Sequence, residues 1–414
     1  MKRLRVGVFG AGRGCDLAQN FLLLDCDIVA LCDSREDRIK EGLRLIPEPE
    51  AVYHDFDSFI AHDMDAVILA NDFDQHTPYA IRCLKKGIHV FSECIVSGTM
   101  AESVALVRAA EKSDAVFMLA ENYPQMKFNL EMKRIADGKT LGKILYGEGE
   151  YNHPTAPDDS WFRHTYNYYP EHWRNFLPRT YYVTHSLAPL MRATGATPKR
   201  VTAMNVYAPF PANVPSASYV GDRAAVIVTL NDDDSVFKFT GCAAFGAEGN
   251  SYRLCGTEGQ IENLRGMDGR VMLRYNKWSV PEGMKENNLY MPGWNDPDEE
   301  LIEKSGHGGA DYLTARMFLS CVRDGKQPEH PFDVYSATVM SSVAILGHRS
   351  ALENGTPYDI PDFREEAWRV KYENDRLTPF FGPDGEAPTI ACCSHPDYRP
   401  TEEQFRLYKE DLGL

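Results

Sequence analysis

The feature that most constrains the fold is a glycine-rich turn near the start of the chain. The apolar run Val6-Gly7-Val8-Phe9 leads into Gly10-Ala11-Gly12-Arg13-Gly14, and a helical pattern follows over residues 16–24. A strand that turns into a helix through glycines leaves backbone N–H groups uncovered at the helix N-terminus, where a pyrophosphate binds well. The turn, with Gly10, Gly12, Arg13 and Gly14, is therefore predicted to bind a dinucleotide.

A second apolar run supports this hypothesis and favours one cofactor. Ile28-Val29-Ala30-Leu31-Cys32 ends in Asp33, at the distance where a dinucleotide-binding βαβ unit places the acid that accepts hydrogen bonds from the adenosine ribose diol. Because a carboxylate at this position repels a 2′-phosphate, NAD is expected rather than NADP. The alternative is an ordinary βαβ unit with a tight turn and no nucleotide.

Strands and helices continue to alternate up to residue 125. Apolar strands are predicted at 66–70, 89–91 and 115–119, and helices at 78–86 and 100–113. This alternation predicts an α/β fold that begins with a doubly wound parallel sheet, a Rossmann domain over residues 1–125. Such sheets bind ligands in the loops at the carboxyl ends of their strands. Here those loops are residues 10–14, 71–76, 92–98 and 121–125.

The pattern changes near residue 140. Beyond it lie β-like stretches with few helices between them, at 144–151, 200–207, 224–230, 236–244, 252–255 and 271–275. They predict a largely antiparallel open sheet, which helices at 312–323 and 334–354 complete into an α+β substrate domain over residues 126–360. Its first helix is a candidate to pack back on the Rossmann domain. The extension over 361–414 is expected to wrap over another surface or subunit.

Charge and hydropathy exclude several classes of partner. The 414-residue chain has a formal net charge of −16, which argues against nucleic acid and anionic membranes and favours a neutral or positively charged small molecule. No apolar run approaches the roughly 18 residues that cross a bilayer. Ten cysteines without a C-x-x-C pair are typical of thiols in a reducing compartment. We therefore expect a cytoplasmic protein without an export signal, and a homo-oligomer.

Two short motifs extend the interpretation beyond the first domain. Asn71-x-x-x-x-His76 follows the fourth strand, and Gly256-Thr257-Glu258-Gly259-Gln260-Ile261 lies in the second domain. In this order the chain resembles the glucose-fructose oxidoreductase/inositol dehydrogenase (Gfo/Idh/MocA) family along residues 1–360. The resemblance implies a sugar or polyol on the sheet of the second domain and NAD(P) in the first. The implied cofactor contacts include Asn71, His76, Glu93 and Asn122.

One departure from this family is informative. Its ordinary dehydrogenases carry Glu-Lys-Pro after the fifth strand, with the lysine beside the reacting hydroxyl, whereas this chain has Glu93-Cys94-Ile95. Lys85 and Lys86 precede the fifth strand and so belong at the opposite edge of the sheet from the cofactor. The lysine that the family leads us to expect is therefore missing from the predicted site.

Four further segments resemble one branch of the family, the NAD-dependent glycoside hydrolases typified by α-N-acetylgalactosaminidases, in which this lysine is also absent. In chain order they are Glu121-Asn122-Tyr123, Gly149-Glu150-Tyr151-Asn152-His153, Tyr182-Val183-Thr184-His185 and His307-Gly308-Gly309-Ala310-Asp311. The branch has Tyr-Pro-Thr-His and then Gly-Leu-Gly-Pro, where this chain has Val183 and Ser186-Leu187-Ala188-Pro189. The loop over residues 154–179 is this chain's own.

The resemblance implies a reaction in which the substrate is oxidised only transiently. NAD⁺ takes a hydride from the third ring carbon, a base removes the proton of the neighbouring carbon, the aglycone leaves, water adds, and the hydride returns. His185 is the candidate to accept the hydroxyl proton, and Tyr182 or Tyr151 the candidate for the ring proton. If a helix begins over residues 182–190, Tyr182 and His185 share one of its faces.

Other side chains are candidates for substrate contacts, and each has a structural alternative. Glu121, Arg174 and His307 would contact substrate hydroxyls, but Arg174 could be a solvated surface charge, and His185 a hydrogen-bonded histidine at a helix start. Aromatic residues crowd the loop before His185 and suit sugar stacking, an interface or a loop core. They are Trp161, Phe162, Tyr166, Tyr168, Tyr169, Trp173 and Phe176.

Metal binding is not expected from the histidines. His153, His164, His172 and His185 have spacings that match no compact ligand motif, and hydride chemistry needs no metal. The sequence thus predicts an NAD-dependent glycoside hydrolase with tightly bound cofactor, acting on a small sugar or glycoside. The alternatives are an NAD-dependent sugar or polyol dehydrogenase that uses His185 in place of the lysine, and a non-catalytic nucleotide and sugar sensor.

Overall fold

The first part of the chain forms a parallel sheet flanked by helices. The computed structural model describes residues 3–156, 159–267, 269–382 and 384–414. The described strands of the first sheet are β1 (Arg5–Phe9), β2 (Asp27–Cys32), β3 (Ala51–Tyr53), β4 (Ala66–Leu69), β5 (His89–Ser92) and β6 (Phe117–Leu119). Their spatial order is β3-β2-β1-β4-β5-β6, all parallel. This is the doubly wound Rossmann sheet that the sequence predicts.

Helices cover both faces of this sheet, which explains its apolar strands. They are α1 (Ala11–Leu23), α2 (Glu36–Gly42), α3 (Phe56–Phe59), α4 (His76–Lys85) and α5 (Met100–Ala110). Every residue of β4 and β6 is buried, as expected for strands of a parallel sheet. The start of α5 is fixed by a capping box, in which Thr99 and Glu102 exchange hydrogen bonds with each other's backbone N–H.

The second sheet has nine strands in the described part of the chain. They are β7 (Ile144–Asn152), β8 (Pro198–Tyr207), β9 (Asp222–Asn231), β10 (Val236–Thr240), β11 (Gly249–Gly256), β12 (Gly259–Asn263), β13 (Val271–Tyr275), β14 (Asn287–Tyr290) and β15 (Tyr358–Asp359). Their order is β14-β13-β12-β11-β7-β10-β9-β8-β15. The central pair, β7 and β10, is parallel, and the other neighbours are antiparallel. The predicted fold class is therefore confirmed.

The helices of the second part connect the two sheets. They are α6 (Lys127–Asp137), α7 (Ser160–Tyr166), α8 (Thr184–Thr194), α9 (Glu299–Lys304), α10 (Ala310–Asp324), α11 (Val334–Leu352), α12 (Glu366–Tyr372) and α13 (Glu402–Leu412). Helix α8 covers β7, α10 packs against α1, and α11 lies between β8 and α5. Helix α6 packs mainly against α8, and it also contacts β12 and the 3-10 turn at residues 123–125. Helices α10 and α11 pack against elements of the Rossmann domain, and α6, the first helix of the second domain, meets that domain at this turn.

The C-terminal extension packs on its own chain. Near its start, Arg369 on α12 forms an ion pair with Glu111, just after α5. At its end, Asp411 on α13 accepts a hydrogen bond of 2.7 Å from Arg163 on α7, and the Tyr408 hydroxyl donates to the carbonyl of Asn167. The extension therefore packs over surfaces of its own chain. It contacts the end of α5 near its start, and the loop that contains α7 near its end.

The described part of the chain contains neither disulfides nor helices suited to a membrane. All ten cysteines are free and seven of them are buried. In the described residues, no helix combines the length and the apolar character needed to cross a membrane.

Gly149 lets helix α8 approach strand β7. A Cβ at this position would lie 2.1 Å from the carbonyl oxygen of Ser186, so the contact requires a glycine. We expect Gly149→Ala to push α8 away from β7 and to lower the free energy of unfolding by about 1–3 kcal/mol, the usual cost of overpacking. Urea denaturation measures the change.

Gly138→Ala is the matched control for this variant. Gly138 ends α6 with φ −68° and ψ −8°, and a Cβ there would meet its nearest atom at 3.4 Å. Alanine adopts this conformation without strain and restricts the unfolded chain, so stability should stay equal or rise by up to about 1 kcal/mol. Equal losses in both variants would contradict the packing argument.

Candidate active site

The glycine turn after β1 has the geometry of a dinucleotide cradle. Gly10 has φ +95°, its N–H donates to the carbonyl of Cys32 at 2.9 Å, and a Cβ on it would lie 2.2 Å from the carbonyl oxygen of Ala70. A Cβ on Gly14 would collide with Val8, so this glycine lets α1 pack closely on β1. A Cβ on Gly12 meets nothing within 4 Å. The open space above Gly12, at the N-terminus of α1, fits a pyrophosphate.

Asp33 lies at this cradle, as predicted. Its carboxylate accepts hydrogen bonds from the backbone N–H of Ala11 at 2.8 Å and of Arg35 at 2.9 Å. Each carboxylate oxygen retains a lone pair, so the group can also accept from a ribose hydroxyl. The Arg35 guanidinium pairs with Asp37 and stacks over the ring of Tyr168, 3.7 Å from its centroid. The Arg35 side chain is therefore partly engaged by Asp37 and Tyr168, while its Nη1 has no hydrogen-bond partner in the described part of the chain.

The loop after β4 offers one more polar contact to a cofactor. Asn71 Nδ2 donates to the carbonyl of Gln75, and Oδ1 of Asn71 is buried without a hydrogen-bond partner in the described part of the chain. Such an orphaned acceptor suits a ligand donor. His76 is fully buried, and its Nδ1 lies 2.7 Å from the carbonyl of Ile95. Burial lowers the pKa of His76, so this histidine is neutral and holds the loop after β5 in place.

A buried carboxylate gathers four of the predicted site residues. Asp311, at the start of α10, accepts two hydrogen bonds from the Arg13 guanidinium, at 3.0 and 2.8 Å, and one from Asn122 at 2.7 Å. His307 Nδ1 lies 2.9 Å from it, and Arg13 also donates to Glu93 at 3.0 Å. Burial opposes the charge on Asp311, but His307 and Arg13 hold its pKa well below the usual range. Asp311 is not among the predicted site residues, although the His307-Gly308-Gly309-Ala310-Asp311 motif contains it.

Three predicted residues form a hydrogen-bonded chain at the edge of both sheets. Both carboxylate oxygens of Glu121 lie within 2.9 Å of His185 Nδ1, and His185 Nε2 lies 3.2 Å from the Tyr182 hydroxyl. Burial raises the pKa of Glu121, but His185 and the N–H of Tyr123 outweigh this and leave the pKa below its usual value. Glu121 is thus an ionised carboxylate that orients the imidazole, with the other ring nitrogen directed at a phenol.

Two more tyrosines complete this cluster. The Tyr123 ring stacks on His185 with centroids 3.9 Å apart, and Tyr151 contacts His185 edge-on at 4.9 Å and Tyr182 at 5.6 Å. Burial raises the pKa of Tyr123, Tyr151 and Tyr182, so all three phenols are protonated at neutral pH. The sequence did not predict the stacking of Tyr123, because it depends on how the 3-10 turn at residues 123–125 packs against α8.

The predicted helix start at Tyr182 is wrong by two residues. Helix α8 begins at Thr184, so Tyr182 lies in the preceding turn and does not share a helical face with His185. The two side chains nevertheless meet, because the turn is held by the N–H of Cys242, which donates to the Tyr182 carbonyl. At the other end of the segment from Tyr182 to His185, the Tyr252 hydroxyl donates to the carbonyl of His185 at 2.6 Å.

Cys94 takes the place of the missing lysine and is fully enclosed. Its Sγ lies within 4.8 Å of ligand atoms of Glu121 and His185, a set of donors that suits zinc. Burial raises the pKa of the Cys94 thiol, so without a metal it is neutral. The histidines considered from sequence do not converge, since His153 pairs with Glu248 and His164 with the carbonyl of Asp411.

Arg174 is not the solvated surface charge that the sequence allowed. Its guanidinium stacks over the Trp173 ring, 4.3 Å from the centroid, and burial lowers its pKa. Trp173 in turn stacks on Phe73 of the Rossmann domain, with centroids 5.2 Å apart and an angle of 16°. Arg174 also acts electrostatically on Tyr182 and Tyr151. The loop before α8 therefore carries Arg174 to the same cluster.

Asp33 provides a test of the cofactor site. Asp33→Ala removes an acceptor for the ribose diol and should weaken NAD binding by about 1–3 kcal/mol, because a donor loses its partner. Calorimetry with NAD and NADP measures the effect. The control is Asp37→Ala, which removes the partner of the Arg35 side chain but not the carboxylate at the turn. NADP binding as tight as NAD binding in the unmodified protein would remove Asp33 from this assignment.

Two family models match separate parts of the chain. Residues 4–121 match the oxidoreductase family with an NAD-binding Rossmann fold, and residues 249–370 match the C-terminal domain of glycosyl hydrolase 109. A glycosyl hydrolase family 109 protein of Streptomyces filamentosus is 27% identical over 408 residues, 88% of this chain and 78% of the relative. One of Shewanella pealeana is 23% identical over 405 residues, 89% of this chain and 87% of the relative.

Solved structures share the fold at low identity. Levoglucosan dehydrogenase in complex with NADH and levoglucosan has a TM-score of 0.73 and 16% identity, covering 87% of this chain and 100% of the other. Myo-inositol 2-dehydrogenase from Lactobacillus plantarum has a TM-score of 0.65 and 17% identity, with the same coverage. Residues 4–121 are therefore similar to the oxidoreductase family with an NAD-binding Rossmann fold, and residues 249–370 to the C-terminal domain of glycosyl hydrolase 109. By these similarities the chain is an NAD-dependent enzyme.

Proposed function

We propose that this enzyme is an NAD-dependent glycoside hydrolase that oxidises its substrate transiently and retains the cofactor. The observation that carries the proposal is the Glu121–His185–Tyr182 chain beside Cys94, where ordinary dehydrogenases of the family would place a lysine. The glycosyl hydrolase 109 relatives support the same assignment. When bound, NAD⁺ supplies the hydride acceptor for the third ring carbon and the donor that later restores it.

His185 is the proposed acceptor of the hydroxyl proton. Its Nδ1 faces the ionised Glu121 carboxylate, which stabilises the imidazolium that forms when Nε2 takes up a proton. The same group can return the proton when the carbonyl is reduced again. Glu121 is thereby assigned to orienting His185, rather than to a separate contact with a substrate hydroxyl.

Tyr182 is the better candidate than Tyr151 for the ring proton. A buried phenol with a raised pKa acts as a base only if its own proton has an acceptor. The Tyr182 hydroxyl lies 3.2 Å from His185 Nε2. This nitrogen can accept the phenol proton once the imidazolium has passed the proton of the substrate hydroxyl to the leaving aglycone. Tyr151 contacts the cluster through ring edges, and we assign it to the wall of the sugar site. Arg174 and His307 are proposed contacts for substrate oxygens.

Retention of the cofactor is supported by the loop over residues 154–179. In its described part, Tyr168 lies under Arg35, the carbonyl of Thr165 accepts from Arg38, and Trp173 stacks on Phe73. The loop thus lies across the carboxyl ends of β2 and β4, which flank the cradle. Helix α13 holds the loop in place through Asp411 and Tyr408. A cofactor beneath this cover would dissociate slowly, as a recycled cofactor requires.

An NAD-dependent sugar dehydrogenase is the second candidate. The Glu121–His185 pair could serve a simple oxidation, and the solved structures with the same fold include sugar and inositol dehydrogenases. The two functions differ in the fate of the cofactor. A dehydrogenase releases NADH in each turnover, whereas the proposed hydrolase regenerates NAD⁺ on the enzyme.

Turnover without net oxidation tests this choice. Purified protein should carry NAD(H), cleave a chromogenic glycoside without added cofactor, and show no lasting change in absorbance at the nicotinamide band. The measurement is a screen of chromogenic glycosides together with free sugars and polyols. Steady accumulation of NADH with a free sugar, and no cleavage across the glycoside panel, would establish the dehydrogenase instead.

Single substitutions should separate the two proton transfers. His185→Ala is expected to slow hydride transfer by about 10²–10⁴-fold, the usual contribution of a positioned acid–base group. Tyr182→Phe should still allow bound NAD⁺ to be reduced by substrate, while exchange of the ring proton with deuterated solvent falls. Stopped-flow absorbance follows the first step, and NMR follows the second.

Tyr151→Phe is the matched control, because it removes a hydroxyl from the same cluster without touching His185 Nε2. It should retain most of the exchange of the ring proton. Loss of exchange in Tyr151→Phe but not in Tyr182→Phe would reverse the assignment of the two tyrosines. Unchanged hydride transfer in His185→Ala would remove the histidine from the reaction.

A further inference from the structure

A cavity of about 150 Å³ lies beside the tyrosine cluster and is not used by the proposed reaction. It is lined by the loop before α8, the segment before β9 and helix α13. Its walls include Phe162, Ser216 and Tyr408, together with Arg163, which pairs with Asp411, and the three arginines Arg174, Arg179 and Arg223. The described walls therefore combine apolar surface with several cations.

The three arginines have no carboxylate partner among the residues that the structure describes. Arg174 stacks on aromatic rings, Arg179 donates to the backbone carbonyl of Asp222, and Arg223 donates to the carbonyl of Ala208 while it stacks over Phe210 at 3.4 Å. Burial and the nearby Arg179 both lower the pKa of Arg223. Each guanidinium has five N–H donors, so most of these donors remain available to a ligand.

The nearby acids are occupied elsewhere. Asp159, the acidic residue among the described walls of the cavity, accepts from the N–H of Phe162 at the start of α7. The Asp222 carboxylate accepts from Asn205 and from Ser394, and Glu248 pairs with His153. The arginines of the wall outnumber its one described acidic residue, and like charges held together in a half-buried cleft favour the binding of an anion. In a chain of net charge −16, such a cluster of cations marks a specific site.

The cavity lies close to the proposed sugar site. Arg174 lines the cavity and stacks on Trp173, which stacks on Phe73, and the Phe73 ring contacts the Tyr182 ring at 5.7 Å. The backbone links the same two regions, because the N–H of Cys242 donates to the Tyr182 carbonyl and Ala244, two residues further on, lines the cavity. The two regions are therefore neighbours.

We propose that the cavity binds an anionic group, a carboxylate or a sulfate ester, on the substrate whose sugar ring lies at Tyr182 and His185. The assignment of the ring rests on the proposed function. Guanidinium groups bind such oxyanions with paired, charge-assisted hydrogen bonds, and they are suited to this task because they stay ionised. The enzyme thus acts on acidic saccharides, and Arg179 and Arg223 determine this specificity.

Calorimetry on the NAD-saturated protein tests the proposal without turnover. The probes are glucuronate and galacturonate, their neutral parents glucose and galactose, glucose 6-sulfate, and inorganic sulfate. At least one acidic sugar should bind tenfold or more tightly than its neutral parent, and this advantage should shrink as salt concentration rises. Glucose 6-sulfate and the uronates distinguish a sulfate ester from a carboxylate. Inorganic sulfate that binds as tightly as every acidic sugar would indicate a free-anion site and overturn the proposal.

Substitutions assign the effect to the cavity. Arg179→Gln and Arg223→Gln should each reduce the preference for the acidic sugar about tenfold, and Arg223→Lys should restore part of it. The matched control is Arg274→Gln on the exposed side of β13, which should change nothing. Thermal denaturation of each variant verifies folding. A preference that survives in both glutamine variants, or the absence of any preference in the unmodified protein, overturns the proposal.

The outcomes also separate this inference from the proposed function. A protein that binds acidic sugars through Arg179 and Arg223 but cleaves no glycoside would refute the hydrolase and keep the anion site. A protein that cleaves neutral glycosides and shows no preference for the acidic sugars would refute the anion site and keep the hydrolase.

Discussion

The buried carboxylate of Asp311 is the interaction on which the candidate site depends. It lies at the start of α10, in the second half of the chain, but its partners Arg13 and Asn122 belong to the Rossmann domain. A buried charge of this kind is tolerated only when its partners are in place, and breaking such a set costs about 3–5 kcal/mol. The Asp311 carboxylate is therefore one of the ionic contacts that hold the dinucleotide cradle against the second part of the chain.

The position of this joint explains the arrangement of the remaining polar groups. Arg13 also binds Glu93, which precedes Cys94, and Asn122 follows directly on Glu121. The loops after β5 and β6 therefore lie beside α10. Glu121, in the loop after β6, contacts His185 on helix α8 of the second part of the chain. Because Cys94 is neutral and buried, the proposed reaction assigns the proton transfers to His185 and Tyr182. The absence of the lysine and the presence of the Glu121–His185 pair are two parts of one arrangement.

The net charge of the whole chain and the charged side chains of the cavity indicate different ligands. The net charge of −16 indicates a neutral or positively charged partner, and it does so as an average over the whole surface. The cavity beside the tyrosines gathers Arg174, Arg179 and Arg223 from the loop before α8 and from β9. At such a site the nearby cations have a larger electrostatic effect on a ligand than distant exposed acids, because water and salt screen the distant charges. A whole-chain average therefore says little about the ligand of a single cavity.

The sequence by itself determined the elements and their order. The glycine turn, Asp33 and the apolar strands predicted the Rossmann sheet, because local backbone geometry and burial on two faces leave few alternatives. The change of pattern near residue 140 predicted the second sheet for the same reason. The motifs with Glu121, Tyr151, Tyr182 and His185 predicted one site, and the structure brings these side chains together.

Only the tertiary structure decided which of these residues touch, and through which atoms. The meeting of Tyr182 with His185 does not follow from helical spacing, since α8 begins at Thr184. The role of Asp311, the stacking of Tyr123 and the burial of Arg174 each depend on contacts between segments far apart in the chain. Local sequence carries no information about such distances. The packing of α8, α10 and the C-terminal extension against the two sheets sets them.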